Sequence, residues 1–169
     1  MLPEEDAQAT LADVDSWWNV DEELVEGDVL DALLAFRVAV TVTAEDVDDL
    51  QDAYRDIVEG AAACTRGAVT VSDVELCAED SHGRLGFLRN GEPASWRVDE
   101  AAGFYLDMLS VFEHFNQLDP KDDRGFHRIP GGEPGVCDYW VLATPAQAEV
   151  PRTEWGLTLE DLPGAGRTG

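Results

Sequence analysis

Between Phe36 and Val58 the order of apolar and polar residues changes period within a few positions. Phe36, Val38, Val40 and Val42 alternate with Arg37, Ala39, Thr41 and Thr43, the period of two expected of a strand with one buried face. From Val47 the spacing becomes three and four. At about 100° per residue, Val47, Leu50, Tyr54, Ile57, Val58 and Ala61 share a quadrant, and Glu45, Asp48, Asp49, Asp52, Asp56 and Glu59 lie opposite. Thr43 stands in N-cap position with Asp46 three residues on, a variant of the capping box that predicts where this helix begins. The stretch therefore reads as a strand passing through a capped turn into a helix with one core face and one carboxylate face.

The same reading extends along the chain. Leu11, Val14, Trp17 and Trp18 are spaced to give a short helix one apolar edge, and residues 28–34 predict a second short helix behind the capping Asp28. Residues 68–79 predict a strand whose phase slips near Ser72 and Asp73, as a bulge would make it. Asn90-Gly91 separates two further strand patterns, 83–89 and 93–98, and predicts a hairpin, because both turn positions favour positive φ. Asp99 caps a predicted helix over 100–118 with an apolar stripe of Phe104, Tyr105, Met108, Val111, Phe112 and Phe115, stopped by Asp119-Pro120. Strands are predicted at 126–129 and 137–144. Beyond Pro145 the composition turns to proline, glycine and alanine, with one helical turn expected over 158–161.

These elements predict an α+β fold, with two main helices packed on one face of a mainly antiparallel four- to five-stranded sheet, in a ferredoxin-like or related topology. Three regions are expected: an acidic N-terminal segment with short helices over 1–35, an α+β core over 36–144, and a Pro/Gly-rich C-terminal tail over 145–169. At 169 residues and 44% apolar, one core is the expectation.

Charge adds the strongest constraint on partners. The formal charge is −25, and residues 1–60 hold 18 acids against 2 bases. Such a field repels nucleic acid and anionic lipid and attracts basic protein surfaces. Neither direct nucleic-acid binding nor membrane association is expected. The competing explanation is adaptation: Lys121 is the only lysine and Ile57 and Ile129 the only isoleucines, so the acidity also fits a coding bias or a salt-adapted proteome. The start of the chain lacks a basic n-region and an apolar h-region, and no apolar run is long enough to span a bilayer, so a cytoplasmic location is expected. Cys64, Cys77 and Cys137 are odd in number and widely spaced, which predicts reduced, mostly packed thiols.

No catalytic motif stands out, and neither cofactor nor metal is expected. His82, His114 and His127 lack the short spacing of a zinc site, and Asp119, Asp122 and Asp123 do not match a calcium loop. Residues 131–135 are glycine-rich without the lysine and hydroxyl of a phosphate loop. The leading expectation is a non-enzymatic acidic binding protein that engages a basic protein partner, such as an immunity protein, an antitoxin or a DNA-mimicking inhibitor. Its contact residues would be Asp48, Asp49, Asp52, Asp56 and Glu59, with Trp17 and Trp18 as anchors. The first alternative is a small-molecule enzyme or ligand module with a pocket of Tyr105, His114, His127 and Tyr139 between the second helix and the sheet. The second is a structural or assembly subunit.

Overall fold

The computed structural model describes residues 8–10, 26–44, 47–79, 82–99, 105–131 and 137–161. In chain order the longer elements are α1 (Glu26–Ala35), β1 (Ala39–Thr43), α2 (Leu50–Cys64), β2 (Val71–Glu79), β3 (His82–Arg89) and β4 (Glu92–Val98). Then come α3 (Met108–His114) with a 3-10 turn (Phe115–Leu118), β5 (Gly125–Pro130), β6 (Cys137–Ala143), α4 (Pro145–Glu154) and β7 (Glu160–Asp161).

The α+β class holds, but the strands divide between two antiparallel sheets where the sequence pattern predicts one. One has the order β1-β6-β5-β7 and the other β2-β3-β4. This is not the ferredoxin-like order, because α2 connects strands of different sheets. The second sheet is a meander of three consecutive antiparallel strands. Asn90 and Gly91 take φ of 53° and 81°, and the slip between Ser72 and Glu75 is a bulge at Asp73, φ 55°. Both features follow the sequence pattern.

Alternation along the four-stranded sheet decides where its faces point. Val40 and Val42 on β1, Trp140 and Leu142 on β6 and Phe126 on β5 share a core with Val74, Leu85, Phe87, Trp96 and Val98 of the meander. Odd positions, Ala39, Ile129, Val141 and Ala143, pack instead with Val29 and Leu30 of α1, Ala148 of α4, and Leu157 and Leu159. Both faces of this sheet are therefore covered, a correction to the one-sided sheet expected from β1. The meander is the one-sided sheet: Glu75, Arg84, Ser95 and Arg97 on its outer face are exposed.

All three predicted caps move, and Asp28 lies inside α1 (Glu26–Ala35) rather than ahead of it. Thr43 ends β1, and α2 begins six residues after Ala44, where the Asp49 carboxylate accepts the Asp52 N–H at 3.1 Å. The second main helix is capped by Asp107, not Asp99, and after Met108–His114 it tightens into the 3-10 turn. For α2 and α3 the chain offers two residues suited to capping, Thr43 and Asp49 or Asp99 and Asp107, and the later one is used. Beyond Thr144 a helix forms over Pro145–Glu154, where the composition predicts no helix before residue 158. Pro145 occupies its first turn, and Thr144 and Gln147 form a reciprocal capping box at 3.2 and 2.9 Å. The 158–161 stretch is extended and ends in β7 rather than in a helical turn.

Candidate acidic interface and the predicted pocket residues

α2 is wedged between the two sheets, touching both β1 and β2. Tyr54, Val58 and Ala61 are fully buried, and the Tyr54 hydroxyl accepts the Asp107 N–H at 3.2 Å, tying α2 to the start of α3. At Gly60 an added Cβ would stand 3.0 Å from Val40 Cγ2, so this glycine lets the helix approach β1 closely. The Leu76 N–H of β2 reaches Gln51 Oε1 at 3.4 Å, a side-chain link from helix to strand.

On the outward side, Asp48, Asp49, Asp52, Asp56 and Glu59 are all exposed. They do not form one uniform stripe. Asp48 precedes the helix, and Asp49 spends its carboxylate on the cap. Asp52, Asp56 and Glu59 remain at i, i+4 and i+7 on one helical face. Asp52 is paired with Arg55, whereas Asp56 and Glu59 have no ion-pair partner among the described residues. Trp17 and Trp18 lie outside the described residues.

The four residues of the predicted pocket do not converge. Tyr105 is 60% exposed ahead of α3. His114 stacks on Trp96 with centroids 6.1 Å apart, and its Nδ1 is 3.3 Å from the Gln117 amide nitrogen. His127 and Tyr139 occupy odd positions of β5 and β6, on the sheet face turned away from α3. The four-stranded sheet stands between the two pairs.

One polar cluster escaped the sequence reading. Arg128 on β5 donates from Nε and Nη2 to the two oxygens of Asp138 at 2.8 and 3.0 Å, and from Nη1 to Glu160 at 2.6 Å. Its guanidinium lies 5.6 Å from the centroid of the Phe112 ring. The Asp138 side chain is 3% exposed. Hydrogen bonding to Asp138 raises the Arg128 pKa, against the burial that lowers it, and keeps the guanidinium charged. The arrangement fastens β7 to β5 and β6 and leaves the carboxylates occupied, so it serves as a staple rather than a reactive centre. A signal for it existed: Arg128 and Asp138 fall in the same strand phase as Phe126 and Trp140, where apolar residues belong.

Asp107 forms a second node. Burial would raise its pKa, but the Ser110 hydroxyl and the N–H groups of Asp99, Ser110 and Leu109 outweigh that and hold it below the usual carboxylate range. Cys64, Cys77 and Cys137 are free, and burial pushes the Cys64 thiol up to about 11, which leaves it unreactive at neutral pH. On the outer face of the meander, Asp73, Arg84, Leu88, Pro93 and Ser95 border an open groove of about 320 Å³ above Gly86. Among the described residues no His, Cys, Asp and Glu side chains are grouped to hold a metal ion, and no helix is long and apolar enough to cross a membrane. No protein-family model, curated protein or solved structure matches the chain.

Proposed function

We propose that this chain is an acidic binding protein that engages a basic protein partner through the outward face of α2, as an immunity protein or antitoxin covers a nuclease, or as a DNA-mimicking inhibitor does. The observation behind this reading is the row Asp52, Asp56 and Glu59, exposed on a helix whose opposite face is fully buried between two sheets. Like charges at this spacing cost roughly 0.2–0.5 kcal/mol per pair at low salt. The buried face holds the helix in place against that cost, and the arginines and lysines of a partner would relieve it. A preorganised anionic row also speeds encounter with a cationic surface, an effect that salt weakens.

The test compares the native chain with an Asp52→Asn/Asp56→Asn/Glu59→Gln variant against a panel of basic nucleases and an arginine-rich peptide, at low and high salt. Native affinity should fall with salt, and the variant should bind its target about tenfold more weakly at low salt. Equal affinity of the two forms would assign the acidity to solubility or salt adaptation instead.

A further inference from the structure

The outer face of the meander carries a glycine that the fold itself does not call for. Gly86 sits in the middle of β3, paired across to Glu75 on β2 and Ser95 on β4. Its φ is not positive, and among the described residues an added Cβ would meet only the Glu75 carbonyl oxygen at 3.9 Å, an ordinary contact. A glycine inside a strand costs chain entropy and packs no side chain, so it marks a bulge, a bend or a place where another molecule approaches the backbone. The bulge is on the neighbouring strand, at Asp73, and β3 keeps its register with β4 from Gly83 to Arg89. What Gly86 provides is the floor of the open groove of about 320 Å³, bordered by Arg84 at one end and by Leu88 and Pro93 at the other.

Charge on this face is arranged against the trend of the chain. Arg84 stands directly across from Arg97 on β4, and both are exposed. Like charges in that position repel, and with 36 acids against 11 lysines and arginines two adjacent cations are an exception here. Arg97 approaches Asp99 only to 3.5 Å, with the two side chains 69% and 71% exposed. An anion between the two guanidinium groups turns their repulsion into attraction, and a planar carboxylate matches their paired donors. Asp73 at the far end of the groove and Glu75 beside Gly86 turn away a second negative charge. Between the ends, the bare backbone at Gly86 seats a flat apolar body, and an arginine guanidinium packs well against the face of a ring. Arg84 and Leu88 are four residues apart on the strand, roughly 13 Å, which leaves room for one ring on a short acid arm.

We propose that the Gly86 groove binds a small aromatic monocarboxylate, with the acid on Arg84 and Arg97 and the ring over Gly86 against Leu88 and Pro93. The site does not use the α2 carboxylates, so it stands or falls independently of the acidic interface.

The test is a titration of the isotope-labelled native chain with phenylacetate, followed by amide shifts, with phenylacetamide and acetate as probes that lack the charge or the ring. Gly86→Val fills the floor of the groove, and Arg84→Gln removes the charge at its end. Both side chains lie on the outer face, so unchanged shifts of the buried residues report that the variants are folded. Phenylacetate should give saturable shifts on residues 84–88 and 93–97. Phenylacetamide and acetate should each bind at least about tenfold more weakly, and each variant should lose about tenfold in affinity for phenylacetate. No saturable shift of the native chain up to about 10 mM, equal affinity for phenylacetate and either control, or undiminished binding in either variant would each overturn the site.

Discussion

On the inner face of the four-stranded sheet Trp140 stacks on Phe115 at 4.3 Å, and Phe115 meets Phe126 edge-on at 4.9 Å and Trp96 of the meander at 6.4 Å. On the outer face Val141, Ile129, Ala39 and Ala143 meet Val29, Leu30, Ala148, Leu157 and Leu159, with the partly buried Tyr139 packed against them and no aromatic ring among the described buried residues. The contrast reflects what each face must reach. The inner face is bridged to a second sheet, so rings supply the span. The outer face is covered directly by α1, α4 and the segment that follows, where small aliphatic side chains let the layers approach. The inner solution has a cost: the indole N–H groups of Trp96 and Trp140 are buried without acceptors among the described residues.

Truncation should separate the two faces most sharply. Trp140→Ala removes the ring that Phe115 and Phe112 pack on, and is expected to cost about 4 kcal/mol in denaturant unfolding. Leu157→Ala on the outer face is expected to cost about 2 kcal/mol. Equal losses would break the comparison.

The polar staple is the next largest effect. Arg128→Met leaves Asp138 buried without its partner and should cost about 3 kcal/mol, much of which Arg128→Met/Asp138→Leu should recover. A double variant no more stable than the single one would mean that the pair itself, rather than the stranded carboxylate, carries the stability. Smaller again is the pH effect at Asp119. Because its pKa is raised in the folded chain, its contribution favours folding below about pH 4 and is lost as pH rises to about 6. Asp119→Asn, whose amide oxygen can still accept from Phe126, should flatten that part of the stability profile measured by denaturant titration. The smallest effect lies on the surface. Neutralising Asp56 and Glu59 should raise stability by roughly 0.2–0.5 kcal/mol at low salt and leave it unchanged at high salt.

Much of this fold could be read from residue order, and the gaps have definite causes. The Asn90-Gly91 hairpin and the bulge at Asp73 were legible because each depends on a few adjacent residues whose backbone preferences are local. The division into two sheets was not, since a period of two tells which side of a strand is buried but not which strand lies beside it. The caps slipped from Thr43 to Asp49 and from Asp99 to Asp107 because acids are so frequent that several positions satisfy the same local rule. The α4 helix was hidden by composition, although Thr144, Pro145 and Gln147 spell out its start. For the candidate interface, exposure of the α2 carboxylates followed from helical phase. The role of Asp49 as a cap, and the pairing of Asp52 with Arg55, required the three-dimensional arrangement.

The reading of α2 as an interface is tested most directly by adding an arginine-rich peptide to isotope-labelled chain and mapping amide shift changes at low salt. The account predicts perturbations concentrated on residues 48–63, lost in the Asp52→Asn/Asp56→Asn/Glu59→Gln variant. Shifts spread in proportion over the acidic residues of the whole chain, and unaffected by that variant, would contradict it.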